Sequence, residues 1–365
     1  MSRTRIGAIG CGYWGPNLIR NFIEIPATRV VGVADLDGGR LAHVRERYPQ
    51  IGTLTADYRD LFRLGLDGVV VSTPPETHFE IVKDCLEHGL HVLVEKPLVT
   101  DSEQARELLR IAERNDRTLM VGHTFLYNPA VHALRDLIVE GDLGDVLYID
   151  AVRAGLGLFH PRLNVVWDLA PHDVSIAAFL LGAAPVSVAA RGAACLNETL
   201  EDVVYLTMTF PGDVLYHVRL SWLDPSKTRR TTVIGSQKMA VYDDVEPLEK
   251  LRVYDKRVDS IRRTDTFGEF QFAYHYGNVV IPHLRFEEPL RLECLHFAEC
   301  IASGTRPRTD AANGVMVVET IEAAQRSLAL GGVDVPVGAA ATPVVEHVSA
   351  DRARRRARGE AVNVG

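Results

Sequence analysis

Arg5-Ile6-Gly7-Ala8-Ile9-Gly10-Cys11-Gly12-Tyr13-Trp14-Gly15-Pro16 is the stretch whose reading decides the fold. A short apolar run enters Gly-x-Gly-x-x-Gly, and Pro16 then opens a helix predicted over Asn17 to Ile25; strand before and helix after is the context a dinucleotide fingerprint needs. Gly10 makes the tight turn, Gly12 admits a pyrophosphate close to the backbone, and Gly15 lets helix pack on strand. Tyr13 and Trp14 occupy the variable positions. The phosphates are expected over the helix N-terminus, where free amides and the helix dipole favour negative charge. The next strand, Val30 to Ala34, ends in Asp35, twenty residues past Gly15, where a ribose-binding acid belongs. A carboxylate there accepts the ribose hydroxyls and repels an extra phosphate, so the cofactor is expected to be NAD rather than NADP. Leu36 and Asp37 follow, and Arg40 lies a turn into the next helix.

The alternation then continues. Asp67 to Val71 reads as a strand that Ser72-Thr73-Pro74-Pro75 turns outward, because two prolines cannot continue a ladder. Glu76-Thr77-His78 starts a helix to His88, stopped by Gly89. Val92 to Val94 form a strand with both faces covered, ending in Glu95-Lys96-Pro97. Thr100 and Glu103 read as a capping box for a helix to Asn115, and Thr118 to Val121 form a last strand before Gly122-His123. These elements make an α/β Rossmann domain, a doubly wound parallel sheet over residues 1–122. Ser72 to His78, Glu95 to Pro97 and His123 all emerge at its carboxyl edge, where open α/β sheets bind ligands. An ammonium such as Lys96, placed at the end of a buried strand, therefore faces the crevice.

Bulk properties set limits. A chain of 365 residues exceeds one hydrophobic core, since such cores stop growing at roughly 250 to 300 residues. With 47% hydrophobic and 24% charged residues it has a soluble globular composition, and a net charge of −8 argues against a nucleic-acid binder. The cysteines Cys11, Cys85, Cys195, Cys294 and Cys300 include no Cys-x-x-Cys pair, which points to a reducing cytoplasm and no structural zinc. Gly7 and Gly10 interrupt the first apolar stretch, so it does not read as a secretory signal. Val174 to Ala190 contains Gly182 and Pro185, so it reads as buried helix, turn and strand start rather than a membrane span.

From residue 123 to 345 the pattern predicts an α+β domain with a large, open, mostly antiparallel sheet, followed by a polar tail over 346–365. Asn128-Pro129 starts a helix to Val139, and a strand covers Val146 to Val152. Further strands are predicted over Val186 to Ala190, Asp202 to Phe210, Val214 to Trp222, Arg230 to Gly235, Met239 to Tyr242 and Leu251 to Tyr254, with helices over Glu293 to Ala302 and Asn313 to Leu330. The polar segment Asp255 to Tyr276 reads as a mobile excursion, and Asp351 to Arg358 as a solvated basic tail. Asp168 and His172 lie one helical turn apart, on one face. His172 is the candidate base, since the unperturbed pKa of a histidine, about 6.5, suits proton exchange at neutral pH; following Pro171, it also fits a helix start with Asp168 as cap. A zinc site from Asp168, His172 and His123 lacks conventional spacing. Arg153, His160, Arg162 and Asn164 fit either a polar loop touching substrate hydroxyls or a diphosphate, or an ordinary solvated loop. Lys227-Thr228-Arg229-Arg230 reads as turn and strand-edge charge, with a contact to a substrate phosphate as the alternative.

Together Gly10-x-Gly12-x-x-Gly15, Asp35, Ser72 to His78, Glu95-Lys96-Pro97 and Asp168-x-x-x-His172 give a chain that resembles the Gfo/Idh/MocA oxidoreductases from Arg3 to about Gly332. Gly122 to Ala130 and Trp167 to Asp173 are similar to a subgroup that includes nucleotide-sugar 3-dehydrogenases acting on UDP-N-acetylglucosamine or its uronic acid. The resemblance implies that Ser72, Thr73, Pro74, His78 and Glu95 join the glycine loop in holding NAD. It implies that Lys96 polarises the reacting oxygen beside the nicotinamide, that His172 takes the proton with Asp168 orienting, and that His123 and Tyr127 line the crevice. The activity implied is oxidation of a secondary hydroxyl, at C3, of a nucleotide sugar or aminosugar glycoside to a ketosugar. The alternatives are a ketosugar reductase running the other way, whose relatives carry tyrosine where this chain has His172, and a non-catalytic dinucleotide-binding regulator. A homodimer or homotetramer through the second domain's sheet is implied as well.

Overall fold

The computed structural model describes residues 3–157, 159, 162–196, 199–263 and 270–338. The first part alternates β1 (Thr4–Ile9), α1 (Gly15–Glu24), β2 (Thr28–Ala34), α2 (Gly38–Arg47), β3 (Thr53–Thr55), β4 (Gly68–Val71), α3 (His78–Glu87), β5 (His91–Glu95), α4 (Ser102–Arg114) and β6 (Leu119–Gly122). Its strands are all parallel, in the order β3-β2-β1-β4-β5-β6. Val69 to Val71, Val92 to Val94 and Leu119 to Val121 are buried throughout, as strands covered on both faces must be. α4 lays Ala105, Leu108, Ile111 and Ala112 inward at the three- and four-residue spacing of one helix face. Its cap is Asp101 rather than Thr100: the Asp101 carboxylate accepts from Gln104 N at 2.9 Å, while Glu103 pairs with Arg106. The expected capping box is thus displaced by one residue, because Asp101 takes the extended cap conformation.

The second part comprises α5 (Pro129–Val139), β7 (Val146–Ala154), α6 (Val165–Leu181), β8 (Ser187–Ala193), β9 (Val203–Phe210), β10 (Val214–Ser221), β11 (Thr228–Gly235), β12 (Met239–Asp243), β13 (Leu251–Arg263), β14 (Phe270–Val280), α7 (Pro289–Ser303), α8 (Ala311–Ala329) and β15 (Val335–Pro336). Its sheet runs β14-β13-β12-β11-β7-β10-β9-β8-β15, with β7 and β10 parallel and the other pairs antiparallel. The segment expected to be a mobile excursion is instead two paired edge strands, with Arg257 opposite His275 and Val258 opposite Tyr274. A side-chain contact joins the two strands where apolar burial does not, His275 Nε2 lying 3.0 Å from Asp255 Oδ2. Residues 264–269 and the basic tail Asp351 to Arg358 lie outside the described residues.

α8 binds both sheets. Toward the first, Arg106 pairs with Glu319 and Ser102 N donates to Glu322 at 2.7 Å. Just before the helix, Val121 N donates to Thr309 O at 2.8 Å. A Cβ on Gly314 would come within 2.8 Å of Val121 Cγ2, so the bare glycine lets helix approach strand. Toward the second, Ala190 N donates to Ser327 Oγ at 2.8 Å and Gln325 exchanges bonds with Asn164. No helix among the described residues is long and apolar enough to cross a membrane.

Candidate active site

The glycine loop has the shape its sequence requires. Gly10 sits at φ +96°, where L side chains are strained. A Cβ on Gly15 would lie 2.2 Å from Gly10 O, whereas one on Gly12 would meet nothing closer than Arg40 Nη1 at 3.8 Å. That open cradle leads to the first turn of α1, whose cap residue Trp14 supplies no side-chain bond. A pyrophosphate fits such a site, since the amides are left for it. We expect Gly15→Ala to lower NAD affinity by at least about 100-fold, because the clash forces loop and helix apart; titration calorimetry with NAD checks this.

Asp35 is nearly buried. Its Oδ2 accepts from Cys11 N at 2.5 Å and its Oδ1 from Asp37 N at 2.8 Å, so the acid ties the glycine loop to the end of β2. Arg40, expected to be remote, reaches back to 3.6 Å from Asp35 Oδ2 and 3.7 Å from Asp37 Oδ2. Ser72 Oγ donates to Gly10 O at 2.9 Å, and Thr77 Oγ1 donates to Thr73 Oγ1 at 2.8 Å, with Pro74 O as a second acceptor. Tyr13 and Trp14 stand outward, edge to face, with ring centroids 5.9 Å apart.

At the carboxyl end of β5 the chain turns through a cis Lys96–Pro97 peptide. Lys96 Nζ donates to Asp168 O at 2.7 Å and to Asp168 Oδ1 at 3.1 Å, joining the first sheet to α6. Asp168 Oδ2 accepts from Trp222 Nε1 at 3.0 Å. One turn further on, His172 packs its ring edge against Phe125, centroids 4.9 Å apart, and its Nδ1 is buried without a hydrogen-bond partner. Burial first, and then the charges of Lys96 and Arg153, hold the His172 pKa well below its ordinary value. His123 is buried with both ring nitrogens unpartnered, and burial and Lys96 push its pKa down to about 3. Two neutral imidazoles with open valences thus face one ammonium.

Other residues stand elsewhere than the sequence suggested. His78 does not reach a ligand: it is wholly buried, with Nε2 2.9 Å from Thr73 O and Nδ1 3.0 Å from Pro97 O, and it ties the two ligand-side loops together. Tyr127 does not line the crevice; it is buried, its hydroxyl 3.2 Å from Thr309 Oγ1. Asn164 is no substrate contact, because its side chain caps α6 at Trp167 N and bonds Glu201 and Gln325. It caps a helix that already contains Pro171, so Asp168 is not the cap and His172 does not lie at the helix start. We expect Asn164→Ala to cost about 2 kcal/mol, for a lost cap and stranded partners, read by denaturant unfolding. Arg153 lies in β7 rather than in a loop, paired with Asp173 and with its guanidinium carbon 4.5 Å from the Phe125 centroid. Arg162 donates to Glu76 at 2.9 Å, and His160 lies outside the described residues.

Trp222, Phe125, Asp173 and Arg229 went unread in the sequence as parts of this cluster. Arg229 sits directly opposite Arg153 on the neighbouring strand and is held by Asp244 at 3.4 Å. Only the strand register brings them together, and no local motif marks it. Among the described residues no group of His, Cys, Asp and Glu could hold a metal ion.

Residues 4–123 match the oxidoreductase family with an NAD-binding Rossmann fold, and residues 131–241 match the Gfo/Idh/MocA C-terminal domain. The UDP-N-acetylglucosamine 3-dehydrogenase of Acidithiobacillus ferrooxidans is 29% identical over 251 residues, 67% of this chain and 75% of that protein. Its crystal structure superposes with a TM-score of 0.75, covering 91% of this chain and 99% of that one. The scyllo-inositol 2-dehydrogenase (NAD(+)) of Bacillus subtilis is 24% identical over 317 residues, 84% of this chain and 88% of that protein. The chain belongs to the Gfo/Idh/MocA family of oxidoreductases, with an NAD-binding Rossmann fold.

Proposed function

We propose that the protein oxidises a secondary hydroxyl, at C3, of a nucleotide sugar to the ketosugar, using NAD. The observation that carries this reading is Lys96 Nζ bonded to Asp168 with His172 one helical turn away, at the strand ends beside the glycine loop. The likeness to a UDP-N-acetylglucosamine 3-dehydrogenase supports the substrate class. Bound NAD supplies the hydride acceptor. Gly10, Gly12, Gly15, Asp35, Ser72 and Thr73 hold it, in a cofactor domain of residues 1–122, and residues 123–345 carry the substrate side.

Lys96 donates a hydrogen bond to the reacting oxygen, which makes the carbinol proton easier to remove. His172, kept neutral by burial and by Lys96, takes that proton. Asp168 orients the ammonium, and Trp222 in turn fixes Asp168. His123 offers its unpartnered ring nitrogens to substrate or nicotinamide. The outer face of the second sheet exposes Tyr148, Tyr205 and Leu215, which supports a homo-oligomer through that face. Five unpaired cysteines support a cytoplasmic location.

A screen of nucleotide sugars, sugar phosphates and aminosugar glycosides for NADH formation tests the reading. Turnover of a nucleotide sugar is expected. Turnover of free glycosides alone would overturn the substrate class.

A further inference from the structure

Two carboxyls lie behind Lys96 that the proposed reaction does not use. Glu95 ends β5 opposite Gly122 of β6, so close that a Cβ on Gly122 would lie 3.1 Å from Glu95 Oε2. Glu293, on α7 and wholly buried, accepts from Thr124 Oγ1 at 2.9 Å, two residues beyond Gly122. Both acids therefore crowd one strand end.

Donors there are few. Glu95 Oε2 accepts the Lys96 backbone N–H at 3.3 Å, and Glu293 Oε1 is buried with no partner. The Lys96 ammonium is turned to Asp168. From α1, Arg20 and Asn21 are committed to Glu288; the Tyr127 hydroxyl lies 3.2 Å from Thr309 Oγ1. Cys294 beside Glu293 is a buried thiol whose pKa burial raises, so it brings no cation. Burial pushes Glu95 up to about 7, and Glu293 is pushed well above the carboxyl range by burial and then by Glu95. Neighbouring carboxyls in such surroundings do not both ionise.

We propose that the half-buried Glu95 and the wholly buried Glu293 form an acid pair holding one proton between them, and that this pair positions Lys96. The shared proton supplies the hydrogen bond that Glu293 Oε1 otherwise lacks. The Glu95 oxygen stays on the Lys96 amide and steadies the turn from which Lys96 reaches Asp168. Loss of the proton as pH rises places a second charge behind the turn and loosens Lys96.

Infrared difference spectra of the full chain across pH test the pair without turnover. A protonated carboxyl stretch is expected at neutral pH, titrating away as pH rises and shifted in frequency in both Glu293→Gln and Glu95→Gln, because each leaves one raised carboxyl with no second one to share its proton. A wild-type spectrum without that band, or a band whose frequency neither substitution moves, overturns the pair. Should Glu293→Gln fail to fold, Glu95→Gln carries the same readout. The positioning role rests on the proposed reaction and is read separately, in the pH profile of kcat/KM. The wild type is expected to fall on the alkaline side, about tenfold per pH unit past the pair's upper pKa, while Glu293→Gln does not. Superimposable profiles with the band present overturn the positioning role and leave the proposed reaction standing; absence of turnover with a band present overturns that reaction and, with it, the positioning role.

Discussion

Lys96→Ala is expected to lower kcat/KM by about 10³-fold, the scale of losing a donor aimed at developing charge, while NAD affinity falls far less. The argument is geometric. Lys96 is the ammonium at the carboxyl edge of the first sheet that reaches across to α6, whereas the pyrophosphate cradle is built from Gly10 to Gly15 and does not need it. Steady-state NADH formation and calorimetric NAD binding, measured on the same preparation, separate the two. Equal losses in both would make Lys96 a cofactor ligand rather than a polarising group. Lys96→Arg should recover little, since a planar fork does not replace a compact ammonium in that space.

His172→Asn should reduce kcat by about 10² to 10⁴-fold, the range for losing a positioned base. The wild-type pH profile carries the sharper test. His172 is active when neutral, and its folded pKa lies well below the ordinary value, so the neutral form persists as pH falls past about 6.5. Wild-type kcat/KM should stay flat through that point; an acid limb centred there would show that His172 is not the base, or is not depressed. The linkage runs the same way for stability: the unfolded chain protonates this histidine near about 6.5 and the folded chain does not, so acidification below that value destabilises the fold. Denaturant unfolding at several pH values should find His172→Asn less sensitive to acid than the wild type.

How much of this was legible in the sequence depends on range. The glycine loop, Asp35, the buried strands and Lys96 are local signals, each fixed by a few consecutive residues, and the fold follows from them. The Asn128 cap and the strands after Pro185 were legible for the same reason. What failed was decided at a distance. Asn164 and Tyr127 looked like site residues because of where they stand in the chain, yet Gln325 and Thr309, over 160 residues away in each case, claim their polar atoms. His78 carried a motif position, but its ring nitrogens lie against the carbonyl groups of Thr73, Pro97 and Leu98. The β13–β14 hairpin was missed because edge strands lack the apolar alternation that marks a covered strand. The facing pair Arg153 and Arg229 became visible only through strand register, and Trp222 and Phe125 only through their contacts with Asp168 and His172.

α8 gives the site its rigidity. Bonded to α4 and Asn164, and packed on Leu98 and Val121, it acts as a splint rather than a hinge, so the angle between the sheets is set before any ligand arrives. In the proposed reaction the hydride acceptor rests on one side of that splint and the proton acceptor on the other. Their separation is therefore set by the scaffold, and a bound substrate places its carbon between them.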